Sequence, residues 1–466
     1  MRPRLSFPLP GRGVMNLPAP GSGVIASQPA PRAWANWSMV ALLCALPMFA
    51  QCFQYMTDLP PLYMLSKAWP ALMIPLVVWG LIALDVPYKP LHIITLLWIL
   101  GVTPIVGMLQ LGNGFGAALA TTVKVWSYSF VFSAAALLVL LHPTPAALRR
   151  LLIVLGLATY GVMTLLWVTV PAAAYVGSAA VTKLFMYDTD RGFRIYMPMF
   201  FAMLLVFTLN RSFWIRPAFW KIAGIAVAIV LILGIYKERV AITAALVTIA
   251  LGGAMSMGRW RKAVFAAMAL AAGILLVVLA HRFHTQPALH DSLGTSLSVR
   301  QVSFSMAWKY LSAEPLRWML GVGATTRFGD VSLSRLFGNT QFFLSDIGWL
   351  GIVFEYGAVG ALLLLFVHLA GLRITYRCAR ADDALTLALA DYILYLIIVS
   401  AIYSEVYTPG ELTTAMALSY YLAGVSGYGA SASHPASSSP RHRAVASVRP
   451  SGLSALPTPS GRLSRG

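Results

Sequence analysis

Charge is scarce in this chain and negative charge is scarcer still: 11% of its 466 residues are charged, with 15 acidic side chains against 34 basic ones. With a hydrophobic fraction of 59%, that poverty excludes a soluble fold, which could not hide so much apolar surface from water. Cysteine is nearly absent. Cys44, Cys52 and Cys378 stand in or beside apolar segments without metal-type spacing, which excludes a disulfide or zinc framework and leaves them as packing residues. The sequence also lacks an internal repeat and an inverted pair of glycine- or proline-broken spans, against the pattern of a secondary transporter.

What is present is a succession of apolar runs near the roughly 20 residues that a bilayer requires. They fall at about 36 to 54, 68 to 85, 91 to 110, 118 to 141, 151 to 171, 195 to 210, 217 to 236, 240 to 257, 262 to 281, 346 to 371, 383 to 403 and 410 to 428. The expectation is an all-α, polytopic membrane helix bundle of about 12 transmembrane helices occupying 35–430, with a long periplasmic loop at 282–345. Residues 1–34 are rich in Pro, Gly and Arg and have no apolar stretch before a cleavage site, so they read as a disordered cytoplasmic tail and not a signal peptide. Residues 431–466, made largely of Ser, Pro, Ala and Arg, read the same way.

The formal net charge of +19 does not point to nucleic acid, because the basic residues lie in short connections and tails rather than along one soluble face. Placing the N-terminus in the cytoplasm puts twenty-one of them inside and twelve outside, with Lys124 left within a span. That asymmetry follows the positive-inside rule and puts both termini on the cytoplasmic side. The outside basic residues cluster. All but Lys67 fall before the sixth span (Lys183, Arg191, Arg194), in the turn carrying Lys237 and Arg239, or in the long loop with Arg300. Two readings fit: a shared site for an anionic ligand such as a diphosphate, or an anionic-lipid patch and loop salt bridges to Asp188, Asp190 and Glu314.

Within these segments, Tyr236-Lys237-Glu238-Arg239 joins two apolar runs with almost no polar connection. Glu238 can neutralise one basic neighbour, and Arg239 is either a guanidinium fixed in the outer vestibule or a snorkelling helix end. Beyond Arg300, the spacing of Phe304, Trp308 and Leu311 predicts a short amphipathic helix on the membrane surface that Pro315 stops. Gly321 and Gly323 allow a tight turn or close approach to a ligand. Asp346 stands at the mouth of the tenth span, on a face shared with Leu350, Val353 and Gly357. Glu355 lies nine residues on, about 180° around an α-helix and about 13 Å along it, so the two carboxylates cannot act as a dyad. Glu355, Asp391 and Lys124 are intramembrane charges for which mutual pairing competes with a chemical role. His281, His284, His290 and Asp291 could hold a metal, but helix-end capping fits them better, and no metal or other cofactor is expected.

The order Arg300, Trp308, Glu314-Pro315, Gly321-Val322-Gly323, then a polar residue entering a helix with Glu355-Tyr356-Gly357-Ala358-Val359-Gly360, resembles the membrane superfamily of O-antigen ligases and Wzy-type polysaccharide polymerases. The turn from Tyr236 to Ile242 and the stretch from Arg191 to Phe200 resemble two further landmarks of it. The ligase branch typically carries histidine where Asp346 stands, and Ser345-Asp346-Ile347-Gly348 looks more like the polymerase branch. The resemblance implies a GT-C-like bundle acting on undecaprenyl-diphosphate-linked oligosaccharide at the periplasmic face. It implies Asp346 and Arg300 as catalytic residues, and Arg239, Arg194, Arg191 and Lys237 as diphosphate ligands. Membrane lipid is an expected partner, and a chain-length regulator or export machinery would be a further one.

Overall fold

Proline and glycine divide the apolar runs into helices. In the computed structural model, the described residues are 32–54, 56–112, 114–175, 184–188, 191–260, 263–264, 266–268, 294–323, 337–338, 342, 344–380, 382–403 and 409–432. Helix α1 is Arg32–Phe49, α2 Pro60–Leu72, α3 Ile74–Ala83, α4 Lys89–Leu97, α5 Thr103–Leu111, α6 Phe115–Thr121, α7 Phe130–Leu141 and α8 Pro145–Thr169. A β-hairpin of β1 (Phe185–Asp188) and β2 (Gly192–Ile195) follows, then α9 (Phe200–Ile215), α10 (Phe219–Leu231) and α11 (Arg239–Ser256). The remainder is α12 (Gly294–Ser312), α13 (Pro315–Leu320), α14 (Trp349–Cys378), α15 (Ala384–Val399) and α16 (Pro409–Ala432). Proline opens α2 to α5, α8 and α13, where its missing N–H costs nothing.

Among the described residues, seven helical stretches are long and apolar enough to cross a membrane: Pro60–Ala83, Lys89–Leu111, Phe115–Leu141, Pro145–Thr169, Phe219–Tyr236, Arg239–Ser256 and Trp349–Cys378. Three shorter apolar helices, Trp37–Phe49, Phe200–Ile215 and Ala384–Val399, accompany them. The expected span at about 262 to 281 lies almost wholly outside the described residues. Helices α9 and α15 are buried on nearly every side, as their all-round apolar sequences require. They pack on each other, with Phe200 edge-on to Tyr392 at 4.7 Å between ring centroids.

Two buried ion pairs cross this core. Arg211 of α9 grips both carboxylate oxygens of Asp391 on α15, at 2.6 and 2.5 Å, and donates to the Gly252 carbonyl and the Ser256 hydroxyl of α11. Arg211 and Lys221 are therefore not loose charges of a connection. Lys221 is buried too, and its ammonium donates to the carbonyls of Ser212 and Arg216 at the end of α9. Lys124 lies in the 3-10 segment Thr122–Ser129 between α6 and α7 and bonds both oxygens of the fully buried Glu355, at 2.7 and 2.8 Å. Pairing thus accounts for all three intramembrane charges read from the sequence, since unpaired charge there is costly.

Three local expectations change. The chain before α9 forms a hairpin, with Asp188 opposite Gly192 and Phe185 opposite Ile195, so the helix begins at Phe200 and not near 195. Pro315 starts α13, and only Ala313 and Glu314 separate it from the end of α12. Asp346 shares no continuous helical face with Gly357: it lies in a 3-10 turn, Leu344–Ile347, Gly348 follows at φ 53°, and α14 is itself broken at Gly357, φ 70° and ψ 173°.

That break is closed from outside the helix. The carbonyls of Phe354 and Glu355 accept from the backbone N–H groups of Val322 and Gly323, at 2.7 and 3.1 Å. The indole of Trp98 donates to the carbonyl of Tyr356 at 2.9 Å, and the Gln110 amide to that of Gly321 at 3.1 Å. A broken helix in an apolar setting must have its freed groups satisfied by neighbours, and here the segment after α13 does most of it.

Candidate functional site: an arginine and carboxylate cluster at the hairpin

The hairpin end of the bundle gathers the charges singled out above. α10 runs into a π-helical turn, Ile232–Tyr236, and Lys237 then takes a left-handed conformation, φ 56°, that turns the chain directly into α11. Its ammonium donates to the carbonyls of Arg191 and Phe193, at 3.0 and 2.8 Å, and lies 5.4 Å from the centre of the Trp167 ring. Lys237 thereby fastens the hairpin to the turn, and its contribution to the site is one of position.

Glu238 precedes the first residue of α11 and serves both hairpin arginines: Arg191 donates to one carboxylate oxygen at 3.2 Å and Arg194 to the other. Arg194 is only 8% exposed. An aromatic wall backs the hairpin, where Tyr175 meets Phe185 and Phe193 edge-on at 5.6 and 5.1 Å and Trp167 at 6.3 Å. Arg239 differs from these. It is exposed, and its guanidinium makes no bond among the described residues.

Asp346 belongs to the same cluster. Burial pushes its carboxyl above the usual value, the nearby Arg300 is the strongest influence the other way, Glu238 adds to the rise, and a hydrogen bond with Ser345 and the charge of Arg191 oppose it. Residues from the hairpin, the turn, α12 and the entry to α14 therefore share one electrostatic neighbourhood. Arg300 is half-buried, and its Nε has no hydrogen-bond partner among the described residues. His281, His284, His290 and Asp291 lie outside the described residues.

Chemically, the cluster offers a carboxylate whose basicity is raised by burial, one arginine beside it, one exposed arginine, and two arginines held by an internal counter-ion. Fixed guanidinium groups of this kind suit an anionic ligand with several oxygens. The role of Glu238 as common partner to both hairpin arginines, and the hairpin itself, were missed in the sequence. The aromatic-rich runs Phe185-Met186-Tyr187 and Phe193-Arg194-Ile195, on either side of a polar stretch ending in Gly192, are the strand signal that could have revealed the hairpin. No protein-family model matches the chain, and no curated protein matches it either.

Proposed function

We propose that the chain is a polysaccharide polymerase of the bacterial inner membrane that joins undecaprenyl-diphosphate-linked oligosaccharide units on the periplasmic face. The reading takes about twelve spans in a GT-C-like bundle, with both termini cytoplasmic. What supports it is that the charges of Arg300, Glu238 and Arg191 all act on the half-buried carboxyl of Asp346, as a base within a cationic surround would require.

In the proposed step, the hydroxyl oxygen of one lipid-linked unit attacks the anomeric carbon of another. The bond from that carbon to the diphosphate oxygen breaks, the lipid diphosphate leaves with the electron pair, and the acceptor proton passes to Asp346. Arg300 and Arg239 stabilise the charge that develops on the leaving diphosphate, because fixed donors in a partly dry site require little reorganisation. Arg191 and Arg194 complete the surround from the hairpin, and Lys237 holds the hairpin in place. Raised basicity suits Asp346 to general-base work.

The experiment is to identify the lipid-linked glycans that accumulate in cells lacking the protein. Single repeat units exposed outside support a polymerase; finished polymer on lipid would mean a ligase, and units trapped inside a flippase. Complementation with Asp346→Asn, at normal membrane levels, should leave single units unjoined. Polymer made at the normal rate by that variant would remove Asp346 from the mechanism.

A further inference from the structure

Helix α12 has three distinct sides. Ser303, Ala307 and Leu311, spaced by four residues, are fully buried, and Arg300 continues that inward stripe by about one turn. Phe304 and Trp308 flank it, 48% and 51% exposed, with their rings near parallel at 6.1 Å. Gln301, Ser305, Lys309 and Ser312 occupy the remaining side and are exposed, with the half-exposed Val302 beside Lys309. Helix α13 extends the aromatic flank: Trp318 meets Trp308 edge-on at 4.9 Å, while Leu316 and Met319 are each 57% exposed. A band of apolar side chains bordered by a polar one is the pattern of a helix lying in a membrane interface.

The depth of these helices follows from how they are tied down. Val322 and Gly323 bond to Phe354 and Glu355 of α14, a helix of 30 residues that ends at Cys378 with Arg373 and Arg377 in its last turns. A bilayer core of ~30 Å needs about 20 residues; counted back from Arg373, that length brings Phe354 and Glu355 to the opposite edge of the hydrocarbon. Gly323 also abuts Gly107 of α5, whose neighbours Ile105 and Leu109 are exposed as lipid-facing residues would be. The segment that leaves α13 is therefore packed directly against a membrane-crossing helix.

We propose that α12 and α13 are seated in the leaflet on the hairpin side, with Phe304, Trp308, Leu316 and Met319 against lipid acyl chains and Lys309 in water. α12 and α13 then form a membrane-embedded wall of the Arg300 and Asp346 cluster. This placement does not depend on the polymerase reading.

The test uses the full chain in phosphatidylcholine vesicles, with Cys44, Cys52 and Cys378 replaced by alanine and a nitroxide attached at single introduced cysteines. Trp308→Cys, Leu316→Cys and Met319→Cys should be relaxed more by oxygen than by a water-soluble nickel chelate, matching Leu109→Cys as the lipid-facing standard. Lys309→Cys should show the reverse. Preferential relaxation by the chelate at 308, 316 and 319 would overturn the proposal in favour of a water-exposed face. Protection from both reagents would overturn it in favour of a protein-covered face, such as one shared with a second copy. Leu316→Cys and Met319→Cys replace exposed side chains, so they give the answer even where Trp308→Cys misfolds.

Discussion

Gly321 and Gly357 lie back to back: a Cβ added to Gly321 would come within 2.5 Å of the Gly357 backbone nitrogen, and one added to Gly357 would strike the Met319 carbonyl oxygen. Both residues have positive φ, 77° and 70°. Alanine at either position meets a steric and a conformational penalty together, and the two penalties add to about 2 kcal/mol or more. Gly321→Ala and Gly357→Ala should each lower the unfolding temperature of the detergent-solubilised protein. Gly161→Ala, in α8 with open space around it, should leave it unchanged or raise it.

Removing one member of the Arg211–Asp391 pair leaves a charge buried at 2% exposure. Asp391→Leu or Arg211→Met alone should destabilise by about 3–5 kcal/mol, whereas the double replacement should recover most of the loss. A double-mutant cycle on denaturant unfolding measures this; strictly additive single effects would show that the two side chains do not act as a pair.

The pH dependence of Asp346 has a defined sign. Burial raises its carboxyl above the usual 3.8, so the acid limb of any reaction using it as a base lies above the ordinary aspartate range and activity is lost as pH falls through the raised value. Arg300 is the largest opposing influence. Arg300→Gln should move the acid limb of the residual activity to higher pH, in addition to any loss of rate. A limb that stays in place would uncouple the two residues. On stability the sign is opposite: a carboxyl raised by folding loses stability as pH climbs from its unfolded to its folded value. Asp346→Asn should therefore not reduce stability above that window.

Lys237 and Glu238 hold the hairpin from two sides. Lys237→Met should increase hydrogen exchange at residues 185–188 and 192–195 by several-fold, because the carbonyls of Arg191 and Phe193 lose their shared donor. Glu238→Gln should keep much of the hairpin order, since its amide oxygen still accepts, while removing the carboxylate charge that Arg191 and Arg194 share. Unchanged exchange in Lys237→Met would show that the aromatic wall alone fixes the hairpin.

The apolar runs made much of the helical framework legible, because length and hydropathy are properties of a segment by itself. Asp346, Arg300, Arg191 and Arg194 were legible as members of one cluster from the side of the bundle to which their connections belong. Other features depended on partners distant in sequence. Nothing local to Glu355 indicates that Lys124 will reach it, and nothing local to Gly357 indicates that Val322 and Gly323 will satisfy the broken turn. Lys237 looked like one more cation, and only the backbone carbonyls beneath it distinguish an anchor from a ligand. The hairpin was obscured because its strands have only four residues each and run into an apolar helix.

Glu238 changes what it means for this site to stand empty. Its carboxylate bridges Arg191 and Arg194 and so offsets part of the repulsion between the two guanidinium groups. In the proposed reaction a diphosphate would compete with that carboxylate for both arginines, so that its binding would be an exchange of partners in place of the filling of a charged void.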